Sequence, residues 1–591
     1  MLQSAARRLF NLPIRAASYS SWTTVYGLEE DAKLTKSYIH RPSSTPYMGK
    51  TFMEYLDSAC EKNPDREAFI FCQENRRITY RQFRDQVEKL ASGLANVGIQ
   101  KGDRCGIWGM NSPRWLEAMF AIIRCGGIVV NINPAYQPNE LLYCINKVGV
   151  KAIFTDASFK TQDYYGMLSR LVPGIESFQA GKLKSEIIPS LESIIMMDEG
   201  QFKGTFQMTD LLELATKESG DHLDKLQTEI TADDPVKIVF TSGTTGSPKG
   251  ATLCHHGLLN VGVLCGPITR PPEIPSYTTC LPLPLYHIFG MHCGPVCNLV
   301  HNDTIVFPSP AFEAETCLQA INNERCNFLP GTPTMFIDML NHPNFDKYDL
   351  SSMYGALMGG APCPMETLEQ FKDKLHMEEI MVGYGLTETS VSVSISGLGM
   401  DLEKRISTCG QIVPHVEVKV INTSDGTNLP IKEQGEVCVR GHNIMIGYWG
   451  DEEKTREAID SNGWFHTGDI GFLDDEGLLS ISGRIKDMII RGGMNIYSTE
   501  IEQFLYTHPK IADVQIIGVP DKRMGEEVCA CIKLKAGETA TAEEIKEFCT
   551  GEIAHFKIPR YVNFVETFPL TITGKVQKYK LRETMSKELN L

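Results

Sequence analysis

The segment Ile238-Val239-Phe240-Thr241-Ser242-Gly243-Thr244-Thr245-Gly246-Ser247-Pro248-Lys249-Gly250 decides how this chain is read. A strand-like apolar run opens directly into glycines, hydroxyls and one lysine. Glycines let backbone N–H groups converge on an anion, the hydroxyls donate further hydrogen bonds, and Lys249 adds a point charge. The loop is built for phosphate. It is not a P-loop, because Pro248 precedes Lys249 and Gly250 follows it where Ser or Thr would be required. A flexible surface loop, the plainer interpretation, leaves the coincidence of these groups after a buried strand unexplained.

Outward from this segment, short apolar runs alternate with helical patterns. Cys105-Gly106-Ile107-Trp108, Ala152-Ile153-Phe154, Ile194-Ile195-Met196, Thr304-Ile305-Val306 and Ala356-Leu357-Met358 read as buried strands, and Met365 to Lys374 reads as a helix. Thr51 to Lys101 reads as helix, strand, helix. Such alternation predicts an α/β architecture of doubly wound sheets covered by helices on both faces. From Val416 to Val439 the period shortens, with turns at Ser424-Asp425-Gly426 and Glu433-Gln434-Gly435, so a small β-barrel-like unit is expected there. The polar stretch Gly483-Arg484-Ile485-Lys486-Asp487 marks a boundary, after which strands and helices mix again in a smaller α+β domain. The expected organisation is a leader over 1–28, a large domain over 29–485 and a carboxy-terminal domain over 486–591.

Bulk properties remove several classes of function. The chain has 591 residues, a formal net charge of −16, 42% hydrophobic and 22% charged residues. That balance is globular, and the acidic excess excludes a nucleic-acid surface, which needs a basic patch to neutralise phosphates. Eighteen cysteines are scattered, without paired CxxC spacing, and read as buried free thiols. Glu117 and Arg124 interrupt the apolar stretch Trp115 to Ile132, so nothing reaches the roughly 18 uninterrupted residues of a spanning helix. Met1 to Leu28 carries Arg7, Arg8 and Arg15 and no Asp or Glu, the composition of a mitochondrial transit peptide.

The phosphate loop resembles that of the adenylate-forming superfamily, which contains acyl-CoA synthetases, luciferases and peptide-synthetase adenylation domains. Six further motifs follow in the family's order: Leu285-Tyr286-His287, Gly359-Gly360-Ala361-Pro362, Tyr384-Gly385-Leu386-Thr387-Glu388-Thr389, Thr467-Gly468-Asp469, Gly483 to Asp487, and Pro569 to Lys575. The resemblance spans about Thr51 to Met585. Through Pro330 to Phe336, Asp487 to Gly493 and His555 to Pro559 the chain is most similar to the family's mitochondrial medium-chain acyl-CoA ligases.

The resemblance implies a site residue by residue. ATP would be held by Thr241, Ser242, Gly243, Thr244, Thr245, Gly246, Ser247, Lys249 and Gly385, with Gly360, Ala361 and Tyr384 around the adenine. Asp469 would accept the ribose hydroxyls with Arg484 as its partner, and Thr387 would contact the α-phosphate. Glu388 would hold Mg2+, a hard cation that prefers carboxylate oxygen. His287 would stand at the carboxylate entrance, and Lys575 would touch both the acyl carboxylate and the α-phosphate. Lys486 would be the hinge of a mobile carboxy-terminal domain, and Arg491, Gly492 and Gly493 would meet coenzyme A. Met494 departs from the acidic residue that many relatives carry. Taken alone, Thr387-Glu388 would be a helix cap, Asp469 a turn residue and His287 a packed core histidine.

The implied reaction is ligation of a fatty acid to coenzyme A through an acyl-adenylate, releasing AMP and pyrophosphate. The mostly apolar segments Val261 to Thr269, Gly290 to Gly294 and Val391 to Gly397 suit an alkyl chain. A luciferase-like oxygenase, an enzyme that loads a carrier protein, and a non-catalytic lipid-binding relative share these motifs. The last must explain why Glu388, Asp469, Arg484 and Lys575 are intact.

Overall fold

The structure, a computed structural model, describes residues 34–241, 248–361, 365–375, 377, 379–492, 494–570, 575–589 and 591. The stretch read as a transit peptide, Ser242 to Ser247 of the phosphate loop, and Gly493 lie outside these residues.

Two large sheets form the body. The first runs in the order Phe206–Gln207, Ser193–Met196, Val150–Thr155, Arg104–Trp108, Ile128–Asn131, Pro235–Thr241, Lys249–Cys254, Gly447–Tyr448. Its first six strands are parallel. Ile128–Asn131 is buried at every position, as a parallel strand covered on both faces must be. The last two strands turn antiparallel, and Thr241 pairs with Lys249. The phosphate loop is therefore the connection of a β-hairpin, and the following helix starts only at His255.

The second sheet has nine strands with a parallel centre that includes Phe328–Gly331, Gly355–Gly359 and Glu379–Tyr384. One edge corrects the sequence reading. Between the helices Phe52–Lys62 and Tyr80–Asn96 lies a hairpin, Glu67–Phe71 with Arg76–Thr79, not a single strand. Arg76-Arg77-Ile78-Thr79 is too polar to stand out by periodicity, yet Arg77 reaches Glu67 and Glu324 across the sheet edge. Between the two sheets a shared core packs Leu116, Phe120, Leu258, Leu285 and Met291.

The expected small β unit is a five-stranded antiparallel sheet in the order Tyr38–His40, Val416–Ile421, Gly435–Gly441, Phe465–Leu473, Leu479–Arg484. Val416, Val418 and Val420 point into the core while Glu417 and Lys419 alternate outward, and Glu417 pairs with Arg440 on the next strand. The chain then enters a single turn, Ile485–Asp487, and the carboxy-terminal domain. There the long hairpin Ile511–Asp521 and Gly525–Leu534 carries the helices Ser498–Tyr506 and Lys578–Glu588. Every described cysteine is a free thiol. Among the described residues, no helix is long and apolar enough to cross a membrane.

Candidate active site

A cleft of about 1520 Å3 opens at the carboxyl ends of Pro235–Thr241, Gly355–Gly359 and Glu379–Tyr384, where the two large sheets meet the antiparallel sheet and the carboxy-terminal domain. Strand ends are where an open parallel sheet leaves room for a ligand. Thr241, Lys249, His287, Gly360, Ala361, Tyr384, Gly385, Thr387, Glu388, Arg484, Lys486 and Lys575 all line it. Residues predicted from motifs far apart in sequence thus converge on one site.

At one end stands Glu388, in the short turn Thr387–Thr389 that follows Glu379–Tyr384. Its Oε1 accepts from Thr241 Oγ1 at 3.1 Å and from the Tyr448 hydroxyl at 3.0 Å. Lys249 Nζ lies 4.8 Å over the Tyr448 ring. Two hydroxyls therefore hold the buried carboxylate beside the lysine that ends the phosphate loop. Sequence reasoning missed Tyr448, which has no chemical motif around it and arrives on the strand next to Lys249–Cys254. The turn is tightly built. A Cβ on Gly385 would stand 1.9 Å from the Val391 carbonyl oxygen, so only glycine fits. Val391 itself has φ +90°, which a β-branched residue adopts only under constraint from its surroundings.

Asp469 and Arg484 are paired in register on neighbouring strands, with Nε to Oδ1 at 3.0 Å. The Tyr384 hydroxyl donates to Asp469 Oδ2 at 2.7 Å. Tyr384 therefore positions Asp469 in addition to presenting its ring to the cleft. Burial raises the Asp469 carboxyl above its ordinary range despite Arg484, because the carboxylate is almost fully desolvated while the guanidinium is half exposed. Arg484 is held more firmly charged by Asp469.

His287 caps the short helix Ile288–Met291, its Nδ1 accepting from Phe289 N at 3.3 Å. Burial, reinforced by the Lys575 charge, pushes the imidazole down to about 3, so the ring is neutral. With Nδ1 accepting, the proton sits on Nε2, and His287 offers a neutral donor. Lys575 comes from the carboxy-terminal domain. Its Cε lies near Gly360, 3.8 Å from where a Cβ would stand, and Gly360 has φ +85°. Burial and Arg484 lower its ammonium, while Asp469 and Glu388 oppose that shift. Lys575 is thus a buried cation facing both carboxylates of the site.

Not every predicted residue reaches the cleft. Arg491 and Gly492 lie at the turn of the hairpin Ile489–Arg491 and Met494–Ile496, outside the cleft lining. Arg491 Nε is 2.6 Å from the buried Glu527, and Gly492 N donates to the Met524 carbonyl at 2.7 Å. Within the expected acyl segment Gly290 to Gly294, Gly290 and Gly294 face Pro284 and Leu281, while His292 and Cys293 line the cleft. His255 is a core residue, its Nδ1 accepting from Phe52 N at 3.1 Å.

A cleft that gathers a buried glutamate beside Thr241 and Lys249, an arginine paired with a buried aspartate just behind the lining, and a lysine from the carboxy-terminal domain fits nucleotide-dependent acid activation. The chain is a member of the AMP-binding enzyme family: that family's model matches residues 56–449, and the model of the AMP-binding enzyme C-terminal domain matches 500–575. It is 46% identical over 559 residues to the mitochondrial medium-chain acyl-CoA ligase ACSF2 of Danio rerio, covering 94% of this chain and 92% of that protein. It is 38% identical to the putative acyl-CoA synthetase YngI of Bacillus subtilis, covering 92% of this chain and 98% of that one. Among solved structures it resembles ATP-bound MatB from Rhodopseudomonas palustris, with a TM-score of 0.77 and 27% identity over 92% of this chain and all of that one.

Proposed function

We propose that the protein activates a fatty acid of medium chain length with ATP and transfers it to coenzyme A, releasing AMP and pyrophosphate. The observation that carries this reading is Lys575, brought by the carboxy-terminal domain into the cleft beside Gly360 and within the fields of Glu388 and Asp469. A cation there meets the two anions that must approach each other, the acyl carboxylate and the α-phosphate. The name of the Danio rerio relative, a medium-chain acyl-CoA ligase, supports the acyl class.

No protein nucleophile is needed. Thr241, Lys249 and the loop between them bind the outgoing phosphates, while Asp469 takes the ribose hydroxyls and is kept in place by Tyr384 and Arg484. His287 Nε2–H orients the carboxylate without competing for its proton. Lys575 offsets the negative charge that builds at the α-phosphorus, a preorganised contribution worth about 3 to 4 kcal/mol. Glu388 fits Mg2+, because it is a buried carboxylate fixed by two hydroxyls at the phosphate end of the cleft. Bound there, the ion would neutralise phosphate charge.

Thiolation needs Lys575 to withdraw and the segment Arg491-Gly492-Gly493 to approach coenzyme A. At Ile485–Asp487 the chain passes from the antiparallel sheet into the carboxy-terminal domain through one short turn, which supports Lys486 as the hinge. The Arg-bearing, acid-free leader and the mitochondrial relatives support a mitochondrial location. Import of a reporter fused to residues 1–40 tests that location, and cytosolic retention refutes it.

Lys575→Ala tests the chemistry. It should nearly abolish acyl-adenylate formation while still converting supplied acyl-adenylate and coenzyme A to thioester. Equal loss of both half-reactions refutes domain alternation. Light emission with a luciferin and oxygen would move the protein to the oxygenase class, and acylation of a carrier protein in preference to coenzyme A to the carrier-loading class.

A further inference from the structure

The inner end of the cleft holds polar groups that the adenylation chemistry does not use. Past His287 the cleft runs along the helix His255–Thr269, where Gly262 and Gly266 stand one turn apart. A Cβ on Gly266 would lie 2.5 Å from the His301 ring, and one on Gly262 would lie 2.8 Å from Val296 and 3.9 Å from the His292 ring. Gly266 thus makes room for the His301 imidazole and Gly262 for the Val296 side chain, with the His292 ring in ordinary contact beside it. His292 is delivered by a π-helical turn, His292–Val296, in which Pro295 removes a backbone donor. Next to the end of the glycine-bearing helix, Arg270 lines the cleft, 4.4 Å over the Tyr277 ring. Its Nη1 and Nη2 donate to Asp303 at 2.8 and 2.6 Å, and Asp303, fully buried behind it, also accepts from Tyr277 N at 2.7 Å.

An alkyl terminus pressed against this wall would leave polar groups buried without partners. His292 Nδ1 is already buried with none among the described residues. Arg270 keeps N–H groups beyond the two that Asp303 uses. His301 is fixed by its Nε2, 3.0 Å from the Gly262 carbonyl oxygen. Charge then decides which tail fits. Asp303 neutralises Arg270, and burial together with Arg270 keeps His292 and His301 below the usual imidazole range, hence neutral. A second carboxylate would enter as an uncompensated buried charge. An uncharged oxygen can accept from Arg270 or His292 with no such penalty.

We propose that the preferred acid carries a neutral oxygen, a hydroxyl or an oxo group, at its far end, received by Arg270 and His292 at the floor of the acyl channel. This rests on the acyl-CoA ligase reading and adds the chemistry of the tail. The expected signature is a length series in two branches. Unsubstituted acids gain with each carbon until the methyl terminus meets the floor and then lose, whereas oxygenated acids of that length still gain.

The full-length protein is assayed for acyl-CoA formation with ATP, Mg2+ and coenzyme A over unsubstituted, ω-hydroxy, (ω−1)-oxo and α,ω-dicarboxylic acids of about six to twelve carbons. At the length that reaches the floor, the hydroxy or oxo acid should exceed the unsubstituted acid about tenfold in kcat/KM, because a site with buried donors rejects the analogue that leaves them unpaired. The two oxygenated arms separate hydroxyl from oxo, and His292→Leu should lower the ratio about fivefold. The proposal is overturned if the unsubstituted acid is best at every length, if the dicarboxylate is best, or if His292→Leu leaves the ratio unchanged. Absence of thioester, AMP and pyrophosphate with every acid would instead overturn the ligase reading itself.

Discussion

Replacing Lys237 by Met should stabilise the protein, and by an amount that depends on pH. Lys237 lies on Pro235–Thr241, the strand that delivers Thr241 to the cleft, and is fully buried. Its Nζ is 3.1 Å from Met119 Sδ and 3.2 Å from Met291 Sδ, with the Trp115 ring centroid at 5.2 Å. Thioethers are weak acceptors and replace little of the lost hydration. Burial alone pushes the ammonium from 10.5 down to about 7. At about 1.4 kcal/mol per tenfold, desolvating the charged form costs about 5 kcal/mol below pH 7, where both folded and unfolded chains are protonated. Above pH 7 the folded protein loses the proton that the unfolded chain keeps up to 10.5. The unfolded state then binds more protons, so stability rises with pH, by about 2 kcal/mol between pH 7 and 9 from this group. Methionine matches the aliphatic stem and its neighbours, so Lys237→Met should gain about 3 to 5 kcal/mol at pH 7 after allowing for imperfect packing. That advantage should shrink by about 2 kcal/mol at pH 9. Urea unfolding followed by tryptophan fluorescence at pH 7, 8 and 9 reads this directly, since Trp115 lies against the lysine. A difference that does not change with pH, or a variant less stable throughout, refutes the argument.

Other expectations follow from the cleft. Glu388→Gln keeps an acceptor for Thr241 and Tyr448 but removes the charge, so adenylation should fall about a hundredfold or more, with a higher Mg2+ requirement, in pyrophosphate release. Tyr384→Phe removes the hydroxyl on Asp469 and should raise KM for ATP about threefold to tenfold with little change in fold, measured by initial rates and circular dichroism. Gly385→Ala forces a Cβ against the Val391 carbonyl and should cost about 3 kcal/mol in unfolding free energy together with most of the activity. Because the His287 ring is neutral down to about pH 3, the rate of adenylation should show no histidine limb from this residue between pH 5 and 9, and His287→Asn should change the rate without changing the shape of the pH profile.

Local chemistry made much of this protein legible in its sequence. Strands such as Ser193–Met196 and Thr304–Phe307 are buried at every position and stand out in the sequence as short apolar runs, and the alternation in Val416–Ile421 marks an antiparallel strand by itself. Gly360, Thr387, Glu388 and Asp469 were legible only through the resemblance of their motifs to a family, since their residue types alone suit caps and turns equally well. What tertiary structure alone decided is adjacency across the chain. Nothing near Tyr448 says that its hydroxyl reaches Glu388, and nothing in Val236-Lys237-Ile238 says that the lysine is sealed among Met119, Met291 and Trp115. The hairpin that carries the phosphate loop was hidden because Lys249 and Gly250 interrupt the apolar pattern of its second strand. The polar floor of the acyl channel was hidden for a related reason: Arg270 and Asp303 are 33 residues apart and pair only when the end of the helix His255–Thr269 meets the turn that precedes Thr304–Phe307. Sequence fixes which groups a chain owns and the local bends it can make, while packing decides which of those groups lose water together, and that loss sets their charge and their reactivity.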